Sequence, residues 1–198
     1  MAFNECTSNL FARLIIRGLL TETDVYITHS AWRGTRSPAI SPTDEHVVYA
    51  FAEKGPQQLW RVATDDKEKR QLTDSPGIYN WPAHTPDGEM LVYADTRENN
   101  YEIYMMHVDG SGARRLTENT IMDIRPGVSP DGKQISFTST RNGNSEIYIM
   151  DIDGKNVCRV THHEERDDYS GWHPDGCLFM VSERAGQFDL DLYDLGQL

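Results

Sequence analysis

Residues 129–141 read Ser-Pro-Asp-Gly-Lys-Gln-Ile-Ser-Phe-Thr-Ser-Thr-Arg, and the run Glu-Ile-Tyr-Ile-Met-Asp follows at 146–151. Near-copies of this stretch stand 44 residues apart, as shown by the dipeptides Ser41-Pro42, Thr85-Pro86, Ser129-Pro130 and His173-Pro174. A period of about 40–45 residues, built from short strands and turn residues, is typical of β-propeller blades. The repeat therefore predicts the fold class: an all-β propeller of four-stranded antiparallel blades.

One repeat, residues 124–161, contains signals for four strands. The run Ser129-Pro130-Asp131-Gly132 suits a type I turn, because proline presets φ and glycine tolerates a positive φ. The alternating run 134–139 predicts a strand, and 141–144 a hairpin turn. Residues 146–151 and 157–161 complete the meander. The repeats at residues 34–194 are thus expected to form about four blades of 44 residues each.

The apolar residues of the predicted strands repeat in phase between copies. Stacked blades would bury these residues between neighbours, which stabilises the fold by about 25 cal/mol per Å² of apolar surface. Two positions share one face of the second strand: Val47, Leu91, Ile135 and Phe179, then Tyr49, Tyr93, Phe137 and Val181. The innermost strand carries small residues, as expected where blades converge: Ala39, Ala83, Gly127 and Gly171.

The strings at 129–141 and 146–151, together with Thr85-Pro-Asp-Gly88 and Glu102-Ile-Tyr-Met-Met106, resemble the TolB-type (WD40-like) propeller repeat. The resemblance covers about residues 34–194 and is specific for fold, because these residues build turns and packing rather than a reactive site. It implies a propeller that usually has six blades, whereas four copies are present. Peptidases that carry a similar propeller also have a Gly-x-Ser-x-Gly elbow, and this sequence has none.

The repeat divides the chain into an N-terminal extension, residues 1–23, and a propeller, residues 24–198. Its blades are expected at about 34–73, 74–117, 118–161 and 162–194. The fourth copy has no outer strand, so we expect the strand 25–28 to complete it and close the ring. The extension is predicted to be either a short helix from Thr7 or Ser8 through Arg17, or a strand over 13–20 that is the remnant of a partial blade.

The net charge of −12 argues against nucleic acid as a partner, because phosphates would be repelled. No apolar run reaches the length of a membrane span. The three cysteines are too few and too scattered for a disulfide framework or a metal site. The chain as written is expected to be cytoplasmic, or periplasmic if a leader has been removed. No cofactor and no metal are predicted.

The mouth of the central channel, where the inner strands begin, is the predicted binding site. Side chains there differ between copies while the turns stay the same, as expected of a surface free to specialise. Flat rings and polar partners in such a place suit a peptide or a sugar. The predicted ligand-binding residues are Trp32, Arg36, Tyr79, Trp81, Arg125, Asp168 and Tyr169. The alternative is that these aromatic residues only pack between blades.

Two other groups of residues have structural explanations that are simpler than a functional one. The loop 162–168 has two histidines and four acidic residues that could hold a metal, but Arg166 lies among them, so a solvated acidic loop is preferred. Arginine and acid stand five residues apart across the hairpins, which predicts structural ion pairs: Arg97 with Glu102, Arg141 with Glu146, and Arg184 with Asp189.

The function that the sequence favours is a non-enzymatic scaffold that binds a protein or peptide across the mouth. One alternative is a small-molecule hydrolase or lyase with a metal at the propeller axis. Another is that the chain is part of a larger propeller protein or an assembly of copies. In that case it should expose apolar edges and form oligomers.

Overall fold

The computed structural model describes residues 2–6, 12–17, 24–26, 35–43, 45–64 and 68–197 of the 198-residue chain. The strands within these ranges pair antiparallel and form five sheets. Four sheets follow the 44-residue repeat, and we call them blades 1 to 4. The fifth is an N-terminal sheet of β1 (Ala2–Cys6), β2 (Ala12–Arg17) and β3 (Asp24–Tyr26).

Blades 1 to 3 have four strands each and blade 4 has three, which confirms the all-β propeller architecture. Blade 1 contains β4 (Arg36–Ile40), β5 (His46–Phe51), β6 (Gln58–Ala63) and β7 (Lys69–Gln71). Blade 2 contains β8 (Tyr79–His84), β9 (Met90–Asp95), β10 (Glu102–His107) and β11 (Arg114–Arg115). Blade 3 contains β12 (Asp123–Val128), β13 (Gln134–Ser139), β14 (Glu146–Asp151) and β15 (Cys158–Arg159). Blade 4 contains β16 (Asp167–Trp172), β17 (Leu178–Arg184) and β18 (Gln187–Tyr193), and a 3-10 helix, Leu195–Gln197, follows.

The turn after each inner strand explains why the Ser/Thr-Pro-Asp-Gly sequence repeats. The Ser129 hydroxyl donates to the Asp131 carboxylate at 2.7 Å and accepts the Gln134 N–H at 2.9 Å. Gly132 adopts a φ of 72°, which side chains disfavour, and its N–H donates to the Ser129 carbonyl. Thr85 makes the same bonds to Asp87 and Met90 in blade 2. The repeated residues thus fix the reversal between the first two strands of a blade.

The blades stack through apolar faces that are buried between neighbours. The inner strands β4, β8, β12 and β16 lie side by side around the axis, and each second strand also contacts the next inner strand. Between blades 1 and 2 the core includes Ala50, Leu59, Tyr79, Leu91 and Tyr93; between blades 2 and 3 it includes Ala94, Ile103, Ile135, Phe137 and Tyr148. The predicted in-phase positions of the second and third copies lie in these cores, whereas Val47 and Tyr49 of the first copy lie in a separate buried cluster with Phe51, Trp60 and Val62.

Blade 4 departs from the predicted phase by one residue. The His173 N–H bonds to the Cys177 carbonyl, so this turn is one residue shorter than the turn in which Ser129 bonds to Gln134. Gly171 consequently lies opposite Phe179, and a one-residue slip reverses the face of every side chain in β17. Leu178 and Met180 therefore pack against blade 3, while Phe179 is 37% exposed. The prediction that Phe179 and Val181 share the face of the earlier copies is wrong.

The N-terminal strand does not pair as expected. Val25 lies opposite Ile16 in the sheet of β1, β2 and β3, and no strand among the described residues pairs with the outer edge of β18. Local pairing with the strand just before it needs no reach across the ring, which explains the difference. Of the two structures considered for the extension, β2 matches the strand, while residues 27 and 28 lie outside the described residues. No helix in the described ranges is long and apolar enough to cross a membrane.

The hairpin arginines form ion pairs, but with partners other than those predicted. Arg97 bonds to Asp95 on its own hairpin, Arg141 to Asp123 at 2.8 Å, and Arg184 to Asp167 at 2.9 Å. Glu102 and Glu146, the predicted partners, face the outer strand and bind Arg115 and Arg159 instead. The spacing of five residues correctly predicts that the arginine and the acidic residue lie on the same hairpin. It does not predict the direction in which each side chain points, and the two side chains of the first two pairs bind different partners.

Candidate functional site

One residue in each inner strand has a left-handed backbone conformation, and these four residues meet at one end of the axis. Ser37, Trp81, Arg125 and Tyr169 stand 44 residues apart and have φ values of 50°, 49°, 54° and 54°. Each lies at a β-bulge, because the pairing register shifts at that point in all four blades. Non-glycine residues rarely hold this conformation, and bulges of this kind re-aim side chains next to binding sites.

These four residues and their neighbours line a cavity of about 260 Å³ at the mouth of the channel. Its wall is largely flat and apolar and includes three residues with hydroxyl groups, Ser37, Tyr169 and Ser170. The lining residues are Ser37, Pro38, Trp81, Pro82, Arg125, Pro126, Tyr169 and Ser170. The prolines supply no N–H donor, so the inner strands present rings rather than backbone donors at this level.

Arg125 lies between two aromatic rings. The centre of its guanidinium is 4.0 Å from the centroid of the Tyr169 ring and 5.2 Å from that of Trp81, within the range of cation–π attraction. Its Nη2 also donates to the Tyr169 hydroxyl at 3.1 Å. The Trp81 ring in turn packs on Tyr101 at 5.3 Å between centroids. The two rings and the guanidinium therefore form one supported surface.

Asp168 fixes the position of this surface, because it bonds to both Arg125 and the backbone of Tyr169. Its carboxylate is buried, and both of its oxygens accept from Arg125 Nη1, at 3.0 and 2.9 Å. It also accepts from the Thr138 hydroxyl, from Arg166 and from the N–H of Tyr169. The hydrogen bond to Asp168 raises the pKa of Arg166. Because its bonds to protein groups are so many, Asp168 positions Arg125 and Tyr169 rather than facing a ligand.

Three of the seven predicted residues line the cavity. Trp81, Arg125 and Tyr169 line the cavity, with Asp168 behind them. Tyr79 is fully buried, stacks on Tyr93 and shares a 2.6 Å hydrogen bond with Ser75, so the prediction that it lines the mouth is wrong. It lies two residues before the bulge, on the face of the strand that points into the core. Arg36 is exposed beside the cavity without lining it, and Trp32 lies outside the described residues.

Sequence reasoning did not single out the prolines. Pro38, Pro82 and Pro126 stand 44 residues apart directly after the bulge residues. The same step that located the turns could have found them. Ser170, which takes this place in blade 4, donates to the Ser136 hydroxyl at 3.1 Å.

The acidic loop after blade 3 has a different arrangement from a metal centre. His163 Nδ1 accepts the Glu165 N–H at 3.0 Å, and Arg166 is bound to Asp168. In the part of the chain that the structure describes, no three His, Cys, Asp or Glu side chains stand close enough to hold one ion.

Comparison with known proteins places the fold in a family. The family model for the TolB β-propeller domain matches residues 21–197, whereas a search of curated proteins found no match. TolB from Acinetobacter baumannii is similar in structure, with a TM-score of 0.81 at 23% identity over 93% of this chain and 47% of that chain. A protein described as TolB from Agrobacterium tumefaciens has a TM-score of 0.80 at 24% identity over 92% of this chain and 70% of that one.

Enzymes are also among the similar structures. Oligogalacturonate lyase from Vibrio parahaemolyticus has a TM-score of 0.73 at 16% identity, over 100% of this chain and 60% of that chain. The chain thus spans about half the length of the Acinetobacter protein and more of the other two. At these identities the likeness shows the fold alone, while the family model covers most of the sequence. The chain belongs to the TolB β-propeller domain family.

Proposed function

We propose that this protein is a non-enzymatic scaffold that binds an extended segment of a partner polypeptide at the mouth of its channel. The observation that carries the proposal is that each blade contributes one residue with a left-handed backbone to the same cavity. Three of these four residues, Trp81, Arg125 and Tyr169, have large side chains. Residues in strained conformations cluster at ligand-binding sites, which supports a role for the mouth.

The chemistry of the cavity favours an apolar or proline-containing segment over a small charged ligand. The positive charge of Arg125 is already matched by Asp168, so the flat faces of Trp81 and Tyr169 dominate the wall. Aromatic-lined grooves suit extended and proline-rich peptides, whose backbone needs little ordering on binding. The hydroxyl groups of Ser37 and Ser170 donate to Asn80 and Ser136, so their oxygens remain as acceptors for N–H groups of the peptide backbone.

The proposal is tested by selecting peptides from a random displayed library on the wild-type protein and measuring their dissociation constants by fluorescence anisotropy. The Tyr169→Ala variant removes a half-exposed ring, and we expect it to weaken a selected peptide by about tenfold or more, since stacked aromatic contacts dominate such interfaces. Val157→Ala, at an exposed site on the outer rim, is the matched control and should bind as the wild type does.

Equal affinity for the wild type and Tyr169→Ala would show that the peptides bind elsewhere, and the proposal would fail. Circular dichroism of each variant shows whether the fold is kept.

A further inference from the structure

A second cavity, of about 410 Å³, lies between blade 3 and blade 4 and shares no lining residue with the cavity at the mouth. One wall is the end of the outer segment of blade 3, residues 160–163. The other wall is the face of β17 and β18 that turns toward blade 3. The structure describes both walls, and the volume is within the range of about 300–1,000 Å³ that is usual for pockets that bind small molecules.

Blades 2 and 3 fill the equivalent space with a pair of stacked aromatic rings. Tyr93 lies opposite Tyr104 in blade 2, with 5.9 Å between the ring centroids. Phe137 lies opposite Tyr148 in blade 3, with 5.8 Å between the ring centroids. Both rings of each pair come from the second and third strands of the blade. The outer strand of the blade therefore contributes no ring to the pair.

Blade 4 has a methionine and an aspartate at these two positions. Met180 lies opposite Asp191, in the register at which Phe137 lies opposite Tyr148. Met180 is buried, whereas Asp191 is exposed and has no hydrogen bond or ion pair to another described residue. The cavity therefore results from the residues at positions 180 and 191 rather than from the free edge of β18.

An arginine covers the ring pair in each of the two earlier blades. The guanidinium centre of Arg97 is 4.5 Å from the centroid of the Tyr104 ring, and that of Arg141 is 4.6 Å from the centroid of the Tyr148 ring. Arg184 follows the second strand of blade 4 at the same place and lines the cavity, but it contacts no aromatic ring among the described residues. Blade 4 thus retains the cation and lacks the rings.

A buried hydroxyl group beside the cavity lacks the bond that its counterpart makes. In blade 3, the Ser139 hydroxyl accepts from Arg141 Nε at 2.9 Å. Ser182 has the equivalent place in blade 4, but its hydroxyl has no hydrogen-bond partner among the described residues. Arg184 Nη1 instead donates to the Glu183 carbonyl at 2.7 Å. A ring that holds Arg184 over the cavity, as in blade 3, would bring its Nε within reach of Ser182 and satisfy this buried group.

We propose that this cavity binds a small molecule with a phenol ring, which takes the place of the ring pair that blades 2 and 3 contain. The ring stacks on the Arg184 guanidinium as Tyr148 stacks on Arg141, and its hydroxyl donates to the Asp191 carboxylate. Asp167 already matches the charge of Arg184 at 2.9 Å, so an uncharged ring is favoured over an anion. In the described ranges, no three side chains of the kinds that bind metals stand close enough to hold an ion.

The test measures the binding of p-cresol, which has the ring and hydroxyl of a tyrosine side chain, to the full chain by NMR chemical shifts. We expect saturable changes at the amides of residues 180–184 and 190–193. The compound 4-methylcyclohexanol has a similar size and the same hydroxyl but no aromatic face, and it should bind about tenfold more weakly because it cannot stack on a guanidinium.

A matched pair of variants locates the site. Asp191→Tyr places tyrosine where blade 3 has Tyr148, so its ring fills the cavity and should weaken p-cresol about tenfold or more. Leu190→Tyr adds the same ring on the opposite face of the same strand, and this control should bind as the wild type does. Both positions are exposed, so circular dichroism should show an unchanged fold for both variants.

Equal binding of the aromatic and the saturated compound would overturn the proposal, and so would an unchanged affinity of Asp191→Tyr for p-cresol. Binding of N-acetyltyrosine amide without binding of p-cresol would also overturn it, because the occupant would then be a tyrosine of a polypeptide. Tyr169→Ala should bind p-cresol as the wild type does, so this result does not depend on the mouth.

Discussion

Two buried histidines between blades 1 and 2 should make the protein sensitive to acid. The rings of His46 and His84 meet edge to face, with 5.1 Å between their centroids. The ring nitrogens of both residues are buried, and those of His46 have no hydrogen-bond partner. At the position two repeats after His84, Trp172 instead donates to the Gly127 carbonyl at 3.1 Å. Burial therefore disfavours the charged form of both imidazoles, and the backbone of Ala39 offsets part of this effect at His84.

The magnitude follows from the pKa of the two side chains. Burial lowers the pKa of His84 to about 4, with repulsion by His46 as a further cause, and burial also lowers the pKa of His46. Well above pH 6.5, the ordinary pKa of histidine, both imidazoles are neutral in the folded and unfolded states, and the stability is fully present. As the pH falls toward 4, only the unfolded state takes up the proton, so stability decreases. The shift of His84 corresponds to a loss of about 3 kcal/mol, as an upper estimate.

Urea unfolding followed by tryptophan fluorescence at pH 7 and at pH 4.5 measures this loss. Carboxylates titrate in the same range, so the comparison is with His84→Val, which carries the residue that blade 3 has at 128. We expect the variant to lose about 2 kcal/mol less than the wild type over this interval. His163→Gln, at an exposed histidine, should behave as the wild type. Identical pH profiles for His84→Val and the wild type would refute the reasoning.

Three further changes test the packing and the turns. Phe137→Ala removes a fully buried ring between blades 2 and 3 and should lower the free energy of unfolding by about 3–5 kcal/mol in urea. Ala185→Asn should raise it by about 0.5–1 kcal/mol, because Ala185 has a φ of 52° before Gly186 and Asn-Gly favours this hairpin turn. Glu146→Gln should cost about 2 kcal/mol, since Arg159 loses a charged partner; a cost below about 0.5 kcal/mol would contradict the assigned bond.

The repeat in the sequence predicted the strands, the turns and three residues of the mouth. It could do so because equivalent residues of successive repeats occupy equivalent positions in their blades. Trp81, Arg125 and Tyr169 are 44 residues apart, so they lie at the same height along the propeller axis. The sequence wrongly placed Tyr79 at the mouth. A repeat shows the height of a residue along the propeller axis, but it does not show which face of the strand the side chain occupies. Tyr79 is buried while Trp81, two residues later and within the register shift between Asn80 and Ala83, lines the mouth.

Other differences have equally local causes. The turn at His173 is one residue shorter than its counterparts, and this reverses the faces of β17 in a way that the alignment of apolar residues could not show. The partners of Arg97 and Arg141 depend on whether the acid comes from the hairpin or from the inner strand. Residues 24–26 pair with β2, which directly precedes them in the sequence, and not with β18 in blade 4. The sequence pattern does not distinguish between these two strands as partners.

The central claim, that the mouth binds a peptide segment, is tested most directly by mapping the binding of a selected peptide with NMR chemical shifts on isotope-labelled protein. The account predicts that the largest changes fall on the amides of Ser37, Trp81, Arg125 and Tyr169, one from each blade. Changes confined to the outer rim, or to the edge of β18, with these four amides unmoved, would contradict it.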